Sequence, residues 1–247
     1  MHIPAVIDML VRDLGEIFGG RLQSLSVDGL HAPGQAPADN EGGHHGHAAR
    51  PETHTLAIVD EVTRDDLQAC ARRVGAWNDA GLATPLLLAA REFDRSLDAF
   101  PLEFDAILAD HVVVSGSNPF EGLNVNDADI RRGCELRARS HLLHLREGML
   151  ETRGRGDALA VLIVESAAPF AALLQSLARL EGLGTSDIAS VGRHAERRFG
   201  LSGGAVTSIV ALAGVKEISS EDAMRLFPTY LDAVERLVAY VDGWSSR

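Results

Sequence analysis

Two stretches decide the fold: RLQSLSVDGL, residues Arg21 to Leu30, and THTLAIVDEV, residues Thr53 to Val62. The second places Leu56, Ala57, Ile58 and Val59 between threonines and acids, the composition of a buried β-strand. The first is short, carries Leu22, Leu25 and Val27, and is bounded by glycines, so it also reads as a strand. Between them, the tract from Gly29 to Thr53 holds Pro33, Pro37 and Pro51 with Gly34, Gly42, Gly43 and Gly46, and almost nothing apolar larger than alanine. Such a tract has no core to bury, which predicts a flexible insert.

Working outward, Ile3, Val6, Ile7, Leu10, Leu14, Ile17 and Phe18 recur every three or four residues and predict an amphipathic helix ended by Gly19 and Gly20. After the second strand, Thr63 is placed to cap a helix over Arg64–Asn78, with Asp65 and Asp66 at its positive end. TPLLLAA (84–90) predicts a third strand, REFDRSLDAF (91–100) a short helix, and PLEFDAI (101–107) a fourth short strand. HVVVSGSNPFEGL (111–123) closes this half with an apolar edge and a turn-rich exit. Strands interleaved with helices imply an α/β sheet.

From Asn126 the strand signals stop. Ile130, Cys134, Ala138, Leu142, Leu145 and Met149 fall on one helical stripe, which RGRG at 153–156 ends. Helices follow over Leu159–Leu180, Ser186–Phe199, Gly203–Ala213 and about Ser220–Val241, with Pro228 a kink or restart in the last. The reading is an α/β domain over 1–122, with the insert at 29–53, and a helical bundle over 123–247.

The net charge of −12 argues against general nucleic-acid binding, which needs a basic footprint. One segment is basic: seven arginines against three glutamates between Arg131 and Arg155, a face suited to salt bridges or to an acidic partner. No apolar run approaches the roughly 18 residues of a membrane span, and the acidic start is unlike a signal peptide. A cytoplasmic protein with Cys70 and Cys134 reduced is the expectation.

The order helix, strand ending in glycine, loop, strand, helix, strand and then helical bundle resembles the polymerase-β superfamily of nucleotidyltransferases. It is most like the small bacterial members related to kanamycin nucleotidyltransferase and the minimal nucleotidyltransferases. The resemblance implies a nucleotide site at the strand ends, Asp28 and Gly29 standing by position in the phosphate-holding turn and Thr53 and Thr55 in the second strand's Asp-x-Asp. The family's serine place falls on Leu30, and neutral threonines are poor ligands for Mg²⁺. The third family carboxylate implies Glu103 or, second, Asp105; Asp60 and Glu61 lie at the wrong end of the second strand.

Histidines are the other signal. His31, His44, His45, His47 and His54 cluster around the insert, and imidazoles suit Zn²⁺, Ni²⁺ or Cu²⁺, so His44, His45 and His47 are an alternative metal site, although a low-complexity insert supplies no ordered support. His141 and His144, with Cys134 and Glu147 near by, have zinc-like spacing but read more simply as helix-interface residues. Ser202 is placed to cap a helix. Two functions follow from the resemblance: a catalytically degenerate nucleotidyltransferase-fold protein that binds a nucleotide or a protein partner without any cofactor, or an active enzyme, using Mg²⁺, that transfers a nucleoside monophosphate to a small molecule or protein.

Overall fold

The computed structural model describes residues 6–29, 53–184, 187–201 and 203–244. The insert, with His31, His44, His45 and His47, lies outside the described residues, as does Ser202. The chain divides after Val125 into two compact units.

In the first unit, α1 (Val6–Phe18) leads through a 3-10 turn at Gly19–Arg21 into β1 (Leu22–Asp28), followed by β2 (His54–Val59), α2 (Arg64–Ala71), α3 (Val74–Asp79), β3 (Leu86–Ala89), α4 (Ala90–Ala99), α5 (Pro101–Ala109) and β4 (His111–Gly116). The sheet order is β3-β2-β1-β4, with β1 antiparallel to both β2 and β4, and β2 parallel to β3. Leu10, Leu14 and Phe18 of α1 bury against Leu25, Val27, Ala57 and Val59 of the strands and Trp77 of α3. The Trp77 indole donates to Asp13 at 2.9 Å, so the polar atom of the largest buried side chain is satisfied.

Thr63 and Asp66 form a reciprocal cap on α2: the Thr63 hydroxyl accepts from the Asp66 amide, and the Asp66 carboxylate from the Thr63 amide. Arg21 then donates both guanidinium nitrogens to Asp66, at 2.8 and 2.7 Å, and holds that carboxyl far below its ordinary range. The expected single helix over Arg64–Asn78 is two, α2 and α3, separated by a turn at Arg72 and Arg73.

One expectation fails outright. PLEFDAI is not a strand; it opens α5. Pro101 sits at the first helical position, where its fixed φ helps and its missing N–H costs nothing, Glu103 complements the positive end, and Leu102 and Ala106 are strong helix formers. The fourth strand is HVVVSG instead.

The second unit is helical: α6 (Asp127–Glu151), α7 (Gly156–Leu180), α8 (Ile188–Phe199), α9 (Ala205–Val210) and α10 (Ser220–Asp242). On α6, Ile130, Cys134, Ala138, Leu142 and Leu145 are buried, while Met149 is exposed. By length and composition α7 could cross a membrane, but its second half is this unit's core, with Phe170, Leu173, Leu174 and Leu177 buried. Pro228 lies inside α10, which runs through it without a restart. Asp187 caps α8 by accepting from the Ser190 amide at 2.9 Å, and Ser219 caps α10.

Candidate functional site

The antiparallel register places three chemistry-bearing residues side by side at one end of the sheet. Asp28, the last residue of β1, pairs with His54, the first of β2, and with His111, the first of β4. Residues directly opposite in antiparallel strands share a face about 5 Å apart, so His54, Asp28 and His111 form one row with the carboxylate at its centre. Gly29, just after β1, has φ +69°, a left-handed conformation that suits glycine, and its amide donates to the Asp110 carbonyl at 3.2 Å. His111 is fixed by its Nδ1 at 3.0 Å from the Ile107 carbonyl and by the Phe120 ring, 4.4 Å away.

The electrostatics of the row are uneven. Burial pushes the Asp28 carboxyl above its ordinary pKa, His54 opposes that shift, Asp110 adds to it and His111 opposes it. A charge held partly out of water between two imidazoles is a group the fold would be more stable without, and such groups concentrate where ligands bind.

The other residues expected at a site are dispersed. Thr53 is held in a backbone bridge: its amide donates to the Gly81 carbonyl at 3.0 Å, and its carbonyl accepts from the Ala83 amide at 3.0 Å. Thr55 is in register with Val27, so it points to the face covered by α1, opposite the histidine row. It is buried, and its hydroxyl has no hydrogen-bond partner. Glu103 and Asp105 ride on α5 rather than on a strand; Glu103 lies about 10 Å along the helix axis from the start of β4. Asp60 follows the opposite end of β2, where it accepts from Gln23 at 2.5 Å.

The strand ends carry little that could hold a magnesium pair. Two such ions need several convergent carboxylates. Among the described residues no three His, Cys, Asp or Glu side chains are grouped to hold a metal ion, and imidazoles are not ligands Mg²⁺ prefers. The donor set does not fit. His141 and His144 make no metal pair either: His141 is buried, whereas His144 is exposed beside Glu147 at 3.7 Å. His144 is therefore not an interface residue of the helical core.

No family model matches the chain, and no curated protein matches it by sequence. Among solved structures, spectinomycin adenyltransferase AAD(9) from Enterococcus faecialis, crystallised with ATP and spectinomycin, superposes with a TM-score of 0.56 at 11% identity, over 94% of this chain and 98% of that one. The fold is nucleotidyltransferase-like. A nucleotidyltransferase-like sheet followed by helices is thus what the resemblance in element order implied. Sequence reasoning missed His111 and Asp110 and counted His54 only as part of the histidine cluster. Once β1 and β2 are paired as a hairpin, their ends bring Asp28 to His54; nothing local points to His111.

Proposed function

We propose that this chain is a catalytically degenerate nucleotidyltransferase-fold protein that acts by binding a nucleotide at the strand ends carrying His54, Asp28 and His111. One observation supports the reading: Thr55, where the resemblance expects a metal-binding carboxylate, is a buried hydroxyl turned into the helix-covered face. Metal-dependent phosphoryl transfer relies on carboxylates to position the metal ions, and here that position is neutral and turned away from the site. The half-buried row remains, with imidazoles that can donate to phosphate oxygens and a glycine turn beside them. The solved adenyltransferase holds ATP, which supports choosing a nucleotide as the ligand.

Thermal-shift measurements with ATP, with and without Mg²⁺, test it. A ligand that binds only the native state raises its stability by mass action, so ATP at about 100 times its dissociation constant adds about 2.7 kcal/mol. The expected shift is the same with and without Mg²⁺ and unchanged in Glu103→Ala. Stabilisation that requires Mg²⁺ and disappears in Glu103→Ala, together with transfer of AMP to an acceptor, would establish the active enzyme instead.

A further inference from the structure

The row at the strand ends has no fixed cation of its own. The charged groups that act on the Asp28 carboxyl are His54, His111 and Asp110; no arginine or lysine is among them. His111 is faced by Asp28 on β1, follows Asp110 at the end of α5, and has His54 of β2 beyond Asp28. Glu103 and Asp105 sit farther back on α5, and Glu121, next to Phe120, is exposed. With its imidazoles neutral and its acids ionised, this end of the sheet repels a phosphate. Burial pushes the Asp28 carboxyl above its ordinary pKa, so the row already resists uncompensated negative charge. Within it, positive charge can come only from a protonated imidazole.

The hydrogen bonding of His111 decides which nitrogen is free to meet an anion. Its Nδ1 lies 3.0 Å from the Ile107 carbonyl oxygen, in the last turn of α5. A carbonyl only accepts, so Nδ1 carries the hydrogen of the neutral ring and Nε2 is left with a lone pair. Nε2 has no hydrogen-bond partner among the described residues. A lone pair cannot donate to a phosphate oxygen. A second proton turns the same nitrogen into a charged donor, and a charge-assisted bond to phosphate is the stronger kind.

We infer, resting on the reading of these strand ends as a nucleotide site, that the nucleotide binds with uptake of a proton, held on His111 Nε2, which then donates to a phosphate oxygen. The ligand is selected by its phosphates, because a nucleoside without them draws no proton onto the ring.

Calorimetric titration of the full chain with ATP, without Mg²⁺, is the test, run from about pH 8 to about pH 6, where imidazole side chains gain their proton. Pairs of buffers with different ionisation enthalpies count the protons taken up. Relative to His111→Gln, the wild type is expected to take up about one proton more per ATP in the upper part of this range, and to gain about fivefold or more in affinity from its basic to its acidic end. His111→Gln keeps an amide donor in the place of Nε2 at every pH, so it is expected to bind ATP with that dependence gone; the titration of ATP itself is common to both proteins. His111→Asn keeps a donor for the Ile107 carbonyl but has nothing in the place of Nε2, and is expected to bind weakly throughout. Adenosine is expected to bring no proton uptake. ATP bound equally well by the wild type across the range, or uptake that persists undiminished in His111→Gln, would overturn the inference and leave the nucleotide reading standing. No ATP binding at any pH would remove both.

Discussion

His111, at the strand end of the α/β unit, and His141, in the middle of the helical unit, are held in opposite ways. His141 is buried, its Nε2 is 2.8 Å from the Tyr230 hydroxyl, and its ring stacks on Phe170 at 5.4 Å. The Tyr230 hydroxyl donates in turn to the Ser166 carbonyl at 3.2 Å, so the chain of donors ends on backbone. Burial holds His141 neutral, down to about 4, and pushes the Tyr230 hydroxyl up. The His141 Nε2 and the Tyr230 hydroxyl are thus used within the core rather than offered to a ligand. The His54–Asp28–His111 row is half-buried at a sheet end, and its central carboxyl is pushed the wrong way by burial. A buried histidine bonded to a tyrosine within the core is architecture; a row that destabilises its own carboxylate is a candidate site.

The sharpest way to break this contrast is Thr55→Asp. If Thr55 faces the helix-covered core, the new carboxylate is an unpaired buried charge and should cost about 3 to 5 kcal/mol, seen in a urea melt. A variant that keeps its stability and gains Mg²⁺ binding would mean that the position opens on the site. Thr55→Val should instead add about 1 kcal/mol, since it removes an unpartnered hydroxyl without changing shape.

Acidification probes the other side of the comparison. The folded pKa of His141 is depressed, so its contribution is intact above the unfolded value of about 6.5 and is lost as pH falls toward 4. Over that window stability should fall by about 3 kcal/mol, and His141→Gln should flatten the slope in denaturant titrations. Thr63→Ala, which opens the cap on α2, should cost about 1 kcal/mol by thermal melting and leave both histidine groups untouched. The smallest effect is expected at Asp28: Asp28→Asn should slightly raise stability at neutral pH, since it removes a charge that burial disfavours, and the gain should shrink in acid. A marked loss of stability in Asp28→Asn would make the row architecture after all.

Local chemistry made much of this fold legible. The Val/Leu runs of β1 and β2, the Thr63 cap and the three-to-four spacing of α1 and α6 are all short-range patterns. PLEFDAI misled because Leu102 and Phe104 alternate like a strand, while the deciding residue, Pro101 at a helix start, marks a helix N-terminus and is unsuited to a central strand. The site was less legible for a different reason. Asp28, His54 and His111 meet only through cross-strand register, which depends on tertiary pairing, and Thr55 could be judged only once its face of the sheet was known.

The central claim is that the strand ends bind a nucleotide without the metal chemistry of the fold. Calorimetric titration with ATP, comparing the wild type with His54→Ala and His111→Ala in the presence and absence of Mg²⁺, tests it most directly. The account predicts binding that Mg²⁺ does not strengthen and that weakens at least several-fold in each histidine variant. Binding that appears only with Mg²⁺ and is indifferent to both histidines would contradict it.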